Sequence, residues 1–164
     1  PNGDFGHTLM RQFLFDAWAD LMLKRLAGSS DERIAGIAAK AGKEVAYHLE
    51  RSGDLVVRLG DGTDESHKRM QAALDLLWPY TGEMFMGDAV EEALAAEGIA
   101  PMPEDLRADW DARVGAVLRA ATLTRPDSDF AHKGGKTGTH HTEHLGHLLT
   151  QMQWLQRAYP GATW

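Results

Sequence analysis

Asp31–Gly60 reads DERIAGIAAKAGKEVAYHLERSGDLVVRLG. One stripe runs through it: Ile34, Ala38, Ala41, Val45, His48, Ser52, Leu55 and Leu59, in alternating steps of four and three. That alternation is the seam of a helix in a bundle. Ser30 suits the N-cap, acids fill the first turn, and Gly60-Asp61-Gly62 supplies the stop. At 1.5 Å per residue the helix is about 43 Å long.

The neighbouring segments give more helices. Asp4 to Ala27 is apolar nearly all round, with Leu9, Met10, Phe13, Leu14, Phe15, Trp18, Leu21, Met22 and Leu23. Such a helix is buried on most sides. A third helix is expected from Asp64 to Tyr80, capped by Thr63 or Asp64 and broken or kinked at Pro79. A short one runs from Asp88 to Glu97, closed by Gly98. Pro103 suits the first turn of the next, whose face is Leu106, Trp110, Val114, Val117 and Ala121. The irregular TLTRPDSDFAHKGGKTGT, Thr122 to Thr139, exceeds an ordinary connection; such loops are functional or mobile. A last helix is expected from His140 to about Tyr159, with a seam at His141, Leu145, Leu148, Met152, Leu155 and Tyr159. No alternating strand pattern and no repeat occurs. The fold class is all-α, in one domain over residues 1–164.

Composition narrows the function. The chain has 164 residues and a net charge of -7, with no block of Lys or Arg. Nucleic-acid binding needs a basic face and is disfavoured. No apolar run reaches the ~18 residues of a membrane span, and no signal peptide is visible, so the expected location is cytoplasmic. Without Cys there are no disulfides, thiolate metal sites or Cys nucleophiles. The chain opens Pro1-Asn2-Gly3-Asp4 without an initiator Met, as a fragment of a longer protein would.

Three stretches carry candidate chemistry. In Lys43-Glu44-Val45-Ala46-Tyr47-His48, a histidine on a bundle seam suggests the Glu-x-x-His of di-iron bundles. The residue three before His48 is Val45, which ligates nothing, and Glu44 sits about 100° off the seam. His48 is thus either a ligand or a core histidine hydrogen-bonded to another helix. Glu44 reaches inward only through a distortion such as a π-bulge. Asp16, in the most apolar helix, steps by four with Gln12, Asp20 and Lys24; the four suit a solvated or inter-subunit stripe. The third stretch, His140-His141-Thr142-Glu143-His144-Leu145-Gly146-His147, holds four of the eight histidines. His140 to His147 spans about 10 Å of helix, so at most a pair such as His140 and His144 can share one metal. The alternative is a cluster that docks the preceding Gly-rich loop or meets a partner. Lys133-Gly134-Gly135-Lys136-Thr137-Gly138-Thr139 lacks the order of a phosphate loop, although its amides, ahead of a helix, suit an anion.

Taken together, GDFGHTLMRQFLFDAW, KEVAYHLE, VVRLGDGTDESHKRMQAALDLLWPYTGEMF, GGKTGTHHTEHLG and LQRAYPGATW resemble the C subunit of bacterial phenylacetyl-CoA epoxidase, a multicomponent monooxygenase of phenylacetate degradation. The resemblance covers essentially the whole chain. It implies a ferritin-like helical bundle, here lacking its first two helices. It also implies a paired catalytic A-type subunit that carries the di-iron centre, with this chain as its non-catalytic structural partner and no cofactor of its own. The catalytic subunit's pattern places a carboxylate 29 residues before the Glu of Glu-x-x-His. Here Asp16 lies 29 before Val45, and His48 follows. The resemblance therefore makes Asp16, Val45 and His48 vestigial di-iron positions, and leaves no catalytic residue in this chain. A fragment leaves part of its first helix or seam uncovered, so the isolated chain is expected either to self-associate, as a homodimer, or to bind a partner. The competing reading is a self-sufficient ferritin-like di-metal oxygenase or iron-storage protein that uses Glu44. A His140/His144 metal protein is the third.

Overall fold

The computed structural model describes residues 3–163 apart from 129 and 137. The described residues form six α-helices and three short 3-10 segments, with no strand among them. The chain divides into two compact units, residues 1–132 and 133–164.

In the first unit α1 (Phe5–Leu26) is the axis. It packs on α2 (Glu32–Gly60), on α3 (Asp64–Leu77) and on α5 (Arg107–Ala120). Its all-round apolar sequence has this cause: Met10, Phe13 and Ala17 are fully buried. Asp4 caps it, accepting from the His7 N–H at 3.1 Å and meeting His7 Nδ1 at 2.8 Å. The hydrogen bonds and charge of His7 hold the Asp4 carboxyl below its ordinary value. Trp110 of α5 inserts beside α1 and donates its indole N–H to the Leu14 carbonyl at 3.0 Å. Such a partner is what a buried Trp requires.

α2 has the expected length, but its N-cap is Asp31, not Ser30. The Asp31 carboxylate accepts from the N–H groups of Arg33 and Ile34, while Ser30 Oγ donates to the Glu97 carbonyl. The seam also turns. Ala38 and Ser52 are buried as expected, but the last turns bury Gly53, Val56 and Gly60 rather than Leu55 and Leu59. There α2 meets α5 as well as α1. A Cβ on Gly60 would lie 2.5 Å from the Ala121 carbonyl oxygen, so that crossing requires glycine.

α3 starts at a capping box, Thr63 with Ser66. It ends at Leu77, three residues before the expected end, because Pro79 lacks an N–H; Trp78–Tyr80 and Gly82–Phe85 continue as 3-10 turns. α4 (Ala89–Ala96) has the Asp88 cap and a capping box with Glu91. Pro103 opens a 3-10 turn, Pro103–Leu106, and α5 proper begins only at Arg107.

The second unit contains α6 (Glu143–Ala158). It begins after Thr142 rather than at His140, with Glu143 in its first turn; Thr142 holds the N-cap position without a side-chain hydrogen bond. None of its residues is buried. The expected seam is half-buried at Leu145 and exposed at Leu148, Met152, Leu155 and Tyr159.

Candidate functional site

Asp16 and Asp20 are each only 2% exposed, which overturns the solvated stripe. The helix turns both carboxylates inward, and the outer members of the stripe reach in to them. Gln12 Nε2 donates to Asp16 Oδ1 at 2.6 Å, and Lys24 Nζ to Asp20 Oδ2 at 2.7 Å.

The two sites differ in what completes them. Asp20 also takes Arg113 Nη1 of α5 at 2.5 Å. Burial pushes its carboxyl up, but the hydrogen bonds and charges of Lys24 and Arg113 outweigh burial and hold it below its ordinary value. Asp16 instead accepts from Ser52 Oγ of α2 at 2.9 Å. Its hydrogen-bond donors among the described residues are the neutral groups of Gln12 and Ser52.

Ser52 lies one turn beyond His48. Gln12, His48 and Ser52 line a cleft of about 420 Å³ between α1 and α2, walled by Phe5, Thr8, Leu9, Arg51 and Leu55. His48 is exposed, so it is not a core histidine; it shares the cleft with Ser52 but makes no hydrogen bond among the described residues. Its recorded ring neighbour is Tyr47, 6.3 Å between centroids. Val45 is half-buried. The helix is regular through residues 40–50, with no π turn, and Glu44 is exposed. The inward reading of Glu44 therefore loses its geometry.

These residues do not fit a di-iron centre. Asp16 is already engaged by two donors, Val45 offers no donor atom, and Glu44 points away. Among the described residues no three His, Asp or Glu side chains group as a metal site.

The histidine cluster also rearranges. His140 and His141 precede α6, so His140 and His144 are not one turn apart on a helix. His140 Nδ1 lies 3.2 Å from Thr139 Oγ1. The Gly134 carbonyl accepts from the Thr139 and His140 N–H groups at 2.8 and 3.0 Å, and Gly135 from Gly138. The N–H groups of Gly138, Thr139 and His140 are thus spent within the loop and are not open to an anion; Thr137 lies outside the described residues.

Ser52 and Arg113 are the residues sequence reasoning passed over. Ser52 carried a signal, a hydroxyl on an otherwise apolar stretch of seam, because a buried hydroxyl needs a partner.

The whole chain, residues 1–164, matches the model of the phenylacetic acid catabolic protein family. It is 48% identical over 164 residues to the C subunit of the 1,2-phenylacetyl-CoA epoxidase of Escherichia coli (strain K12). The match covers 100% of this chain and 66% of that protein, so the chain spans just under two thirds of its relative's length.

Proposed function

This chain belongs to the phenylacetic acid catabolic protein family, and from that premise we propose that it is a non-catalytic structural subunit of a phenylacetyl-CoA epoxidase complex. Its task is to hold a di-iron A-type catalytic subunit in phenylacetate catabolism, in the cytoplasm.

The observation that supports this reading most is the state of the would-be ligand helix pair. Asp16 is held by Gln12 and Ser52, and a valine stands one turn before His48. Such a pair packs and hydrogen-bonds without a metal.

Partner binding is supported by the apolar side chains left at the surface. Phe15 on α1, and Leu148, Met152 and Trp154 along α6, are each more than half exposed, and apolar exposure of this kind marks association surfaces.

The test is co-expression with an A-type subunit, followed by co-purification and metal analysis of each chain. A stable complex with iron confined to the partner is expected. Two irons per chain in the isolated protein after anaerobic ferrous loading, or no association, refutes the proposal.

A further inference from the structure

A second cavity, of about 360 Å³, opens on the first unit away from the Asp16 cleft. Its floor is Trp78, backed by buried rings: Trp110 lies 5.7 Å from Trp78 and 5.2 Å from Phe85, between ring centroids. Two guanidinium groups lie against these rings. Arg107 lies 4.9 Å over the Phe85 ring, and Arg125 lies 4.9 Å over the Trp78 ring. Stacking of this kind orients a guanidinium and leaves its edge N–H groups available.

Both arginines share one carboxylate. Arg107 Nε donates to Asp111 Oδ2 at 2.9 Å, and Arg125 Nη2 meets Asp111 Oδ1 at 3.2 Å. The second contact is an ion pair without hydrogen-bond geometry, because Oδ1 is buried and has no hydrogen-bond donor. A guanidinium carries five N–H donors, so one shared carboxylate leaves most of the ten unspent. Among the described residues, the charged groups on the cavity lining are Arg107, Arg125 and the exposed Asp127.

The outer wall comes from residues 125–128, 130 and 131 of the long irregular stretch. This wall is clamped at both ends. Gln71 and Thr124 exchange two hydrogen bonds, both 2.9 Å. Beyond the wall, the His132 N–H donates to the Pro79 carbonyl at 2.9 Å and its ring stacks on Tyr80, 4.4 Å between centroids. The cavity is thus built in advance of any ligand, and its volume falls in the range of small-molecule sites.

We propose that this cavity binds a small organic anion with a flat carboxylate head and an apolar body. The planar forks of Arg107 and Arg125 match a carboxylate better than a spherical ion. Trp78, Met86 and Phe130 supply the apolar walls. The proposal does not rest on the scaffold reading.

The test titrates the whole chain with benzoate, with inorganic phosphate and with chloride, read by calorimetry and tryptophan fluorescence. Benzoate should bind saturably in the millimolar range or below, and more tightly than phosphate. Arg125→Gln should weaken benzoate about tenfold, the loss of one charge-assisted contact. Phe130→Ala, at a residue 62% exposed, spares the floor; it should weaken benzoate and leave phosphate unchanged. Arg58→Gln, at an exposed position of α2, should change neither. No saturable benzoate binding, equal binding of phosphate, or unaltered benzoate binding in both Arg125→Gln and Phe130→Ala overturns the proposal.

Discussion

Asp16 and Asp20 lie one turn apart on α1 and are equally buried, yet their surroundings are opposite. Asp20 is closed by two cations, Asp16 by an amide and a hydroxyl. The first site is complete as an ion cluster, in which each partner compensates the others' desolvation. The second is complete as a hydrogen-bond cluster that supplies no counter-charge. Depth on a helix therefore says little about what a buried acid does; the partner that arrives from another helix decides it.

The largest expected effect lies at the ion cluster. Arg113→Met should destabilise the chain by about 3 kcal/mol, the scale of breaking a buried pair, measured by urea denaturation. Lys24 stays to hold Asp20, so a much larger loss would mean that Arg113 carries the cluster alone.

The pH dependence follows the same site. The folded Asp20 carboxyl titrates below its ordinary 3.8, so its contribution is present above that value and is lost as pH falls through the lower folded value. Arg113→Met should reduce this acid-limb loss. An unchanged stability profile below pH ~4 would show that Arg113 does not depress Asp20.

Asp16→Asn should cost no more than about 1 kcal/mol. Its amide oxygen still accepts from Gln12, and its N–H group finds the Ser52 hydroxyl, which can accept as well as donate. A cost equal to that of Arg113→Met would remove the contrast and reveal a counter-charge at Asp16. The smallest effect belongs to Glu44→Ala. At an exposed position it should stay within about 0.5 kcal/mol and leave ferrous binding by the isolated chain unchanged.

How much of this was legible in the sequence depends on range. The apolar wrap of α1, the length of α2, the Thr63 and Asp88 caps and the buried Trp110 and Val114 of α5 all follow from spacing and capping chemistry, although α5 buries Leu118 where Val117 was expected. Those signals act within a few residues. The errors at Ser30 and at the end of α3 are local competitions, in which Asp31 and Pro79 are the stronger signals. The partners are another matter. Ser52 reaches Asp16 across 36 positions and Arg113 reaches Asp20 across 93. Periodicity assigns a residue to a face but not to a partner. His48 shows the same limit: its place on the seam is real, yet the cleft beside it leaves it exposed. The arginine cavity was foreshadowed only by the length of the irregular stretch. Its two guanidiniums come from the start of α5 and from beyond its end, and only the fold brings both to Asp111.

The bond from Ser52 to Asp16 also fixes alignment. Apolar helices slide past one another by a turn, about 5.4 Å, at modest cost, because one aliphatic contact replaces another. A slide of α2 one way would set Val56 against the Asp16 carboxylate, and a slide the other way would exchange the Ser52 hydroxyl for the His48 ring. A single buried polar contact of this kind acts as a key that admits one axial register. Ser52→Ala should accordingly loosen the mutual register of the two longest helices more than it lowers stability, visible as faster amide exchange along both.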